Sequence, residues 1–141
     1  MRNIRLVCIG RIKERYLQEG IAEYEKRLHP YCKLEIIELK DEGIEKEAKR
    51  LEKYLSPATF ILDANGKELD SIEFSNFIKR QEGGELTFII GSAQGVDGGL
   101  KSRSQLISLS KMTFTHEMCR LFLIEQLYRS FQILANRPYH K

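Results

Sequence analysis

The chain has 141 residues, a usual size for one domain. Its apolar fraction of 42% and charged fraction of 30% are ordinary for a globular protein. No apolar run approaches the roughly 18 residues that a membrane-spanning helix needs. The formal net charge is only +3, but basic residues exceed acidic ones toward both ends of the chain. If the two ends meet in the fold, they form a basic surface that suits a phosphate backbone; otherwise the surface is an ordinary mixed one.

The cysteines Cys8, Cys32 and Cys119 are odd in number and widely spaced. Without a C-x-x-C pair, they favour neither a disulfide framework nor a zinc site, and they fit a reducing cytoplasm. We therefore expect a single cytoplasmic domain over residues 1–141 that binds no metal and no membrane.

Strands and helices alternate through the first ninety residues. Short apolar runs rich in β-branched residues predict strands, and apolar residues at helical spacing predict the helices between them. We expect Ser71 to cap the third helix, which Gly83 and Gly84 end. The predicted strands are 4–9, 34–39, 59–62 and 86–90, and the predicted helices are 16–28, 43–55 and one that starts at 71. The residues Asp63-Ala64-Asn65-Gly66 predict a turn after the third strand. This alternation predicts βαβ units and a parallel sheet.

A glycine-rich stretch, FIIGSAQGVDGG at residues 88–99, follows the fourth strand directly. Ligands of parallel α/β sheets bind beyond the carboxyl ends of strands, so this loop is a candidate ligand site. It matches neither nucleotide fingerprint: Leu100 precedes Lys101 where a P-loop needs glycine, and Ala93 replaces the second glycine of the dinucleotide pattern. Taken alone, the loop is equally typical of a simple glycine-rich turn.

The last third of the chain predicts a short strand at 106–109 and a long helix at 116–134. The apolar residues of this helix cover more than one face, which indicates that it is buried on more than one side. We expect the sheet to cover one side and a second subunit the other, giving a homodimer. The sequence ends in the hexapeptide NRPYHK.

The stretches LVCIGRIK at 6–13, ISLSKMTFTHEMCRLFLIEQLYRSFQIL at 107–134 and NRPYHK at 136–141 resemble one family along almost the whole chain. They are similar to the bacterial large-subunit rRNA pseudouridine-N3 methyltransferases of the SPOUT class. The resemblance implies a single-domain parallel α/β sheet flanked by helices, with a C-terminal trefoil knot. It also implies a homodimer that methylates N3 of a pseudouridine in 23S ribosomal RNA on the ribosome.

The same resemblance implies where S-adenosyl-L-methionine binds and what surrounds it. The cofactor-binding residues would be Leu62, Gly91, Leu109, Ser110, Lys111, Met112, Thr113 and Phe114. On the residues alone, packing in the core is the simpler interpretation for Leu62 and Leu109. Three positions depart from the family pattern: Ser92 replaces a glycine, Gln94 an acidic or small residue, and Thr115 a proline.

The C-terminal tail carries the candidate catalytic residues. Imidazoles ordinarily titrate near neutral pH, so His140 can accept or relay the proton that leaves N3, and Tyr139 can stack on the target base. Arg129, Arg137 and Lys141 are the candidate RNA-binding residues, although Arg129 lies four residues after Glu125 and could instead form a helical ion pair.

Two other functions remain open at this point. A Rossmann-like nucleotide-binding oxidoreductase would also have a parallel sheet, although the failed dinucleotide pattern disfavours it. A non-catalytic ribosome-associated factor of the same fold would need the same basic ends.

Overall fold

The computed structural model describes residues 2–81 and 84–141. The strands are β1 (Arg2–Ile9), β2 (Cys32–Leu39), β3 (Thr59–Glu68), β4 (Glu85–Ile90) and β5 (Gln105–Ser108). They form a parallel sheet in the order β2-β1-β4-β3-β5. Every predicted strand lies within or overlaps an observed one, which confirms the predicted parallel α/β architecture. The trefoil knot stays a prediction.

Helices cover both faces of the sheet. They are α1 (Arg15–Leu28), α2 (Ile44–Leu51), α3 (Ser71–Arg80), α4 (Gly98–Ser102) and α5 (His116–Leu134), with a 3₁₀ turn at Glu52–Tyr54. Successive side chains of a strand point to opposite faces, so Leu6 and Cys8 pack with α1, α3 and α5 while Val7 and Ile9 pack with α2 and α4. Because the helices cover the two faces, loops line the edge of the sheet at which the strands have their carboxyl ends.

The helix boundaries follow local hydrogen bonding. Thr115 caps α5, because its hydroxyl accepts a hydrogen bond from the Met118 amide, and threonine is a favoured residue at this position. The cap predicted at Ser71 is wrong by one residue. Asp70 is the cap, and it forms a reciprocal capping box with Glu73. The predicted stop at Gly83–Gly84 falls partly outside the described residues, and α3 already ends at Arg80.

Strand β3 contains an irregularity where a turn was predicted at residues 63–66. Leu62 and Lys67 both pair with Ile107 of β5, so the residues between them bulge out of the pairing with β5, which resumes at Lys67. Gly66 makes this return possible. A Cβ there would lie 2.7 Å from the Ile107 amide nitrogen, closer than side chains approach a backbone. The excursion places Asp63 at the carboxyl edge of the sheet.

Helix α5 is apolar on several sides because its own chain covers it on several sides. It packs against the sheet and lies between α1 and α3, and Leu127 is 0% exposed. A partner subunit is therefore not needed to explain most of its apolar residues. In the described ranges, no helix is long and apolar enough to cross a membrane.

Candidate cofactor cleft and C-terminal tail

A cleft of about 600 Å³ opens at the carboxyl ends of β3, β4 and β5. Three loops and the start of α5 line it, as expected for a ligand site in a parallel α/β sheet. Seven of the eight predicted cofactor residues line this cleft: Leu62, Gly91, Leu109, Ser110, Met112, Thr113 and Phe114. We call it the cofactor cleft.

Lys111 is the one predicted cofactor residue that does not line the cleft. Its side chain is 84% exposed, and its ammonium lies 3.6 Å from the carboxylate of Glu68. The neighbouring backbone turns inward instead, because the Ser108 hydroxyl donates to the Ser110 carbonyl and the Ser110 hydroxyl accepts from the Met112 amide. The loop is thus held in a defined shape by its own serines.

The cleft is lined by both apolar and polar residues. Leu62 lies in β3, Ile90 ends β4, Leu109 follows β5, and Phe114 precedes α5. Its volume falls within the range of about 300–1,000 Å³ that is typical of small-molecule sites. An adenine ring and a thioether chain would fit such walls, while loop amides and carbonyls could bind the polar edges.

Gly91 shapes the second of the three cleft loops, which follows β4 at residues 91–97, rather than leaving open space for a ligand. A Cβ on Gly91 would lie 2.7 Å from Cγ2 of Val96 and 2.8 Å from the carbonyl carbon of Gly95. The loop folds back because the Gly95 amide donates to the Ser92 carbonyl over 2.8 Å. The absent side chain therefore lets residues 92–96 pack directly against the end of β4.

Asp63 is an acidic group of the cleft that the sequence analysis missed. Partial burial raises its pKa, but the Asn65 amide and the Lys101 ammonium, which lies 3.0 Å away, outweigh burial and lower the pKa overall. The carboxylate therefore remains ionised well into the acidic range. The sequence feature that could have identified Asp63 is its place in the predicted 63–66 turn, two residues before Asn65.

The start of α5 contributes three further residues that sequence reasoning missed, namely His116, Glu117 and Cys119. The Glu117 carboxylate accepts hydrogen bonds from the amides of Lys13 (2.8 Å) and Glu14 (3.4 Å). The bond from Lys13 lowers the pKa of Glu117 most. These hydrogen bonds connect the basic loop after β1 to the start of α5, where Glu117 lines the cleft.

The C-terminal tail folds back onto α5 and lies away from the cofactor cleft of its own chain. The Tyr139 hydroxyl donates to Glu125 over 2.7 Å and lies 3.2 Å from the hydroxyl of Tyr24. Glu125 follows His116 by nine residues, which is about 13 Å along a helix. The structure therefore does not bring Tyr139 and His140 together with the predicted cofactor residues within one chain.

Tyr139 is unsuited to accept a proton in this position. Burial, followed by its hydrogen bonds with Tyr24 and Glu125, raises its pKa well above the usual range for tyrosine. Its ring packs edge-on against Tyr128 with centroids 4.9 Å apart, and the guanidinium of Arg129 lies 4.8 Å from its centroid. The hydroxyl is therefore a hydrogen-bond donor.

The candidate RNA-binding arginines already have partners within the chain. Arg129 forms the expected ion pair with Glu125 at 2.8 Å and donates to Nδ1 of His140 at 3.2 Å. Because arginine is only a donor, His140 accepts this hydrogen bond at Nδ1. Arg137 donates to the Tyr31 hydroxyl at 2.9 Å, and Lys141 is exposed at the end of the chain.

The cysteines are not activated as nucleophiles. Burial raises the pKa of Cys8 and Cys32 to about 11 each, and it also raises the pKa of Cys119 in the cleft. In residues 2–81 and 84–141, no group of three or more His, Cys, Asp or Glu side chains is placed to hold a metal ion.

A parallel sheet with a ligand-sized cleft across three strand ends is typical of α/β proteins that bind small molecules at this edge. The sequence profile described as "Predicted SPOUT methyltransferase" matches residues 2–140. The chain belongs to the SPOUT methyltransferase family, which confirms the resemblance seen in its sequence.

Full-length relatives agree with this assignment. The chain is 41% identical to a Carboxydothermus hydrogenoformans protein over 157 aligned residues, covering 98% of this chain and 99% of the relative. It is 42% identical to a Desulforamulus reducens protein, with complete coverage of both. Both relatives are named "Ribosomal RNA large subunit methyltransferase H".

Solved structures share the fold at low sequence identity. A probable methylase family protein from Haemophilus influenzae superposes with a TM-score of 0.62 at 9% identity, covering 99% of this chain and 71% of that one. TrmJ from Z. mobilis gives a TM-score of 0.51 at 9% identity, covering 92% of this chain and 70% of that one.

Proposed function

We propose that this protein methylates N3 of a pseudouridine in 23S ribosomal RNA within the large ribosomal subunit, using S-adenosyl-L-methionine. The observation that carries the proposal is that seven of the eight predicted cofactor residues line one cleft in a chain that belongs to the SPOUT methyltransferases. The full-length relatives, whose printed name refers to the large ribosomal subunit, support this choice of substrate.

The cofactor cleft has the chemistry that a nucleoside with a charged thioether requires. Leu62 and Leu109 offer apolar walls to the adenine, and the backbone at 110–114 offers amides and carbonyls to its polar edge. Asp63, ionised at neutral pH, supplies a hydrogen-bond acceptor or a countercharge at the rim. When bound, the cofactor supplies a methyl group activated by its sulfonium, so the protein needs no activated nucleophile of its own.

The protein must hold the pseudouridine with N3 facing the methyl group and help to remove the N3 proton. The tail is our candidate for that role, with His140 as proton acceptor or relay and the Tyr139 hydroxyl as a donor to the base. Both residues are held on α5 in this chain. They would therefore act after leaving this position or from a second copy of the chain.

A methyl-transfer assay tests the function directly. Large ribosomal subunits from a strain that lacks the corresponding gene should accept one tritiated methyl group per subunit, and mass spectrometry should locate it on N3 of a pseudouridine. Subunits from the parent strain are the control, because their site is already methylated. Binding to the subunits without methyl transfer would favour the non-catalytic ribosome factor, whereas binding of NADH in place of S-adenosylmethionine would favour the oxidoreductase.

We further propose that the protein is a homodimer that joins near Phe122. This aromatic side chain is 38% exposed, stacks edge-on with Phe114 at 5.0 Å, and borders a hollow of about 460 Å³ between α3, β5 and α5. We expect sedimentation to show a wild-type dimer at micromolar concentration and F122K to weaken it by about tenfold or more. Y16K places the same charge on an exposed side chain of α1 and should leave the dimer intact. A wild-type monomer would contradict the proposal.

A further inference from the structure

A second hollow, of about 370 Å³, lies beside the cofactor cleft at the carboxyl ends of β1 and β2. We call it the basic hollow. Its charged and titratable lining consists of Arg11, Lys13, Lys40, His116, Glu38 and Asp41. Its residues were not among those predicted to bind RNA or cofactor, and the proposed methyl transfer does not yet use it.

The sheet topology puts the two cavities next to each other. Strand β1 pairs with β2 on one side and with β4 on the other, so the chain reverses its direction of winding between β1 and β4. Crevices at such a switch point are the usual ligand sites of open α/β sheets. His116 lies at this point and lines both cavities. Its Nε2 is 4.0 Å from the position that a Cβ would take on Gly10.

The charge of the basic hollow favours an anion. Arg11, Lys13 and Lys40 are exposed, and none of them forms an ion pair in the part of the chain that the structure describes. Glu38 is neutralised by Arg120, whose guanidinium is 2.6 Å away. Among the lining residues, Asp41 is then the remaining carboxylate against three cations, while Glu117, which follows His116, also attracts the charge of Lys13.

The basic hollow is also held in shape before any ligand arrives. The guanidinium of Arg120, which is 4% exposed, donates hydrogen bonds both to the Glu38 carboxylate and to the Gly10 carbonyl. The amides of the following loop bind Glu117, and Gln18 binds the Ile12 carbonyl at 2.8 Å. Because these bonds fix the loop backbone, the side chains of Arg11 and Lys13 remain available to a ligand. Such preorganisation lowers the entropic cost of binding.

We infer that the basic hollow binds a backbone phosphate of the RNA, next to the nucleotide whose base enters the cofactor cleft. This inference rests on the proposed function, because it assigns part of the same RNA substrate to a named surface. A phosphodiester fits three unpaired cations better than a base does, and phosphate contacts set the register of a nucleic acid without reading its sequence. Since His116 lines both cavities, one nucleotide can span from the phosphate in the hollow to the base in the cleft.

The variants R11Q, K13Q and K40Q test the inference one cation at a time. Each should raise KM for large ribosomal subunits severalfold and leave kcat nearly unchanged, because the lost contact positions the substrate before the chemical step. Each should also reduce the slope of log affinity against log salt by about 0.7–0.9, the value for one phosphate contact. K33Q is the matched control, since Lys33 is an exposed lysine near the amino end of β2, whereas the basic hollow lies at the carboxyl end of that strand.

Two outcomes would overturn the inference. If the hollow variants behave like K33Q with subunits, the RNA backbone does not bind there. If they weaken S-adenosylmethionine binding in calorimetry as much as they weaken subunit binding, the hollow instead holds the carboxylate end of the cofactor. Cosedimentation of the protein with subunits measures the same affinities without turnover. The inference can therefore be judged even if the wild-type protein transfers no methyl group.

Discussion

G91A should weaken S-adenosylmethionine binding by about tenfold or more. The new Cβ would lie 2.7 Å from Cγ2 of Val96 and 2.8–2.9 Å from the carbonyl group of Gly95. Two of these three atoms belong to the backbone and cannot turn aside, so residues 92–96 must move. Since Ser92, Gly95 and Val96 line the cofactor cleft, its shape changes with them. Isothermal titration with S-adenosylmethionine measures the loss.

The same substitution should also lower the free energy of unfolding by about 1–3 kcal/mol, as overpacked sites do. A matched control lies in the same stretch of chain. Gly98 has no atom within 4 Å of its Cβ position and begins α4, so G98A should retain wild-type stability and affinity. A folded G91A protein that binds the cofactor as tightly as G98A does would show that the second loop is not part of the site.

The parallel sheet and the glycine-rich loop at its carboxyl edge were predictable because each depends on a local pattern, whereas the candidate cofactor residues came from the family resemblance. Buried strands with glycines at their ends are visible in a linear sequence, and the carboxyl ends of parallel strands meet at one edge. Gly91 and Leu109 therefore converge although eighteen positions separate them. The role of Gly91 was less predictable, since its close neighbours, Gly95 and Val96, depend on the fold of the loop.

The basic hollow was not predictable because its residues come from distant segments. Lys13 and His116 are joined through the hydrogen bonds that Glu117 accepts from the loop after β1, and nothing in the sequence marks this pairing. The charge count indicated a basic surface toward the ends of the chain, but it could not separate free cations from paired ones. Arg129 is engaged by Glu125, whereas Lys13 is exposed.

The burial of α5 illustrates the same limit. Its wide apolar surface predicted cover on more than one side, which the structure confirms, but periodicity could not identify what provides the cover. Much of it comes from α1 and α3 of the same chain. A charged substitution at exposed Phe122 can therefore test dimer formation, whereas one at Leu127, which lies in the core, would disturb the fold.

Deletion of residues 139–141 should reduce methyl transfer to large ribosomal subunits by at least about a hundredfold. The tail contains both candidate catalytic residues, and a general acid or base typically contributes about 10²–10⁴-fold. Because no tail residue lines the cofactor cleft, S-adenosylmethionine affinity should change less than about twofold. Loss of the Tyr139 hydrogen bonds with Glu125 and Tyr24 should lower the free energy of unfolding by about 1–2 kcal/mol.

Single substitutions separate the roles within the tail. Y139F keeps the ring against Tyr128 and removes the hydroxyl. Because the raised pKa keeps that hydroxyl protonated at neutral pH, Y139F should lower kcat without altering the pH profile. H140A should remove the acid limb of the profile if His140 accepts the N3 proton, and it should lower kcat equally at every pH if His140 only orients the base. Y24F is the control, since it removes a partner of Tyr139 and leaves the tail intact. Full turnover by the truncated protein would exclude the tail from catalysis. The proton acceptor would then have to be one of the groups that line the cofactor cleft, which include the imidazole of His116.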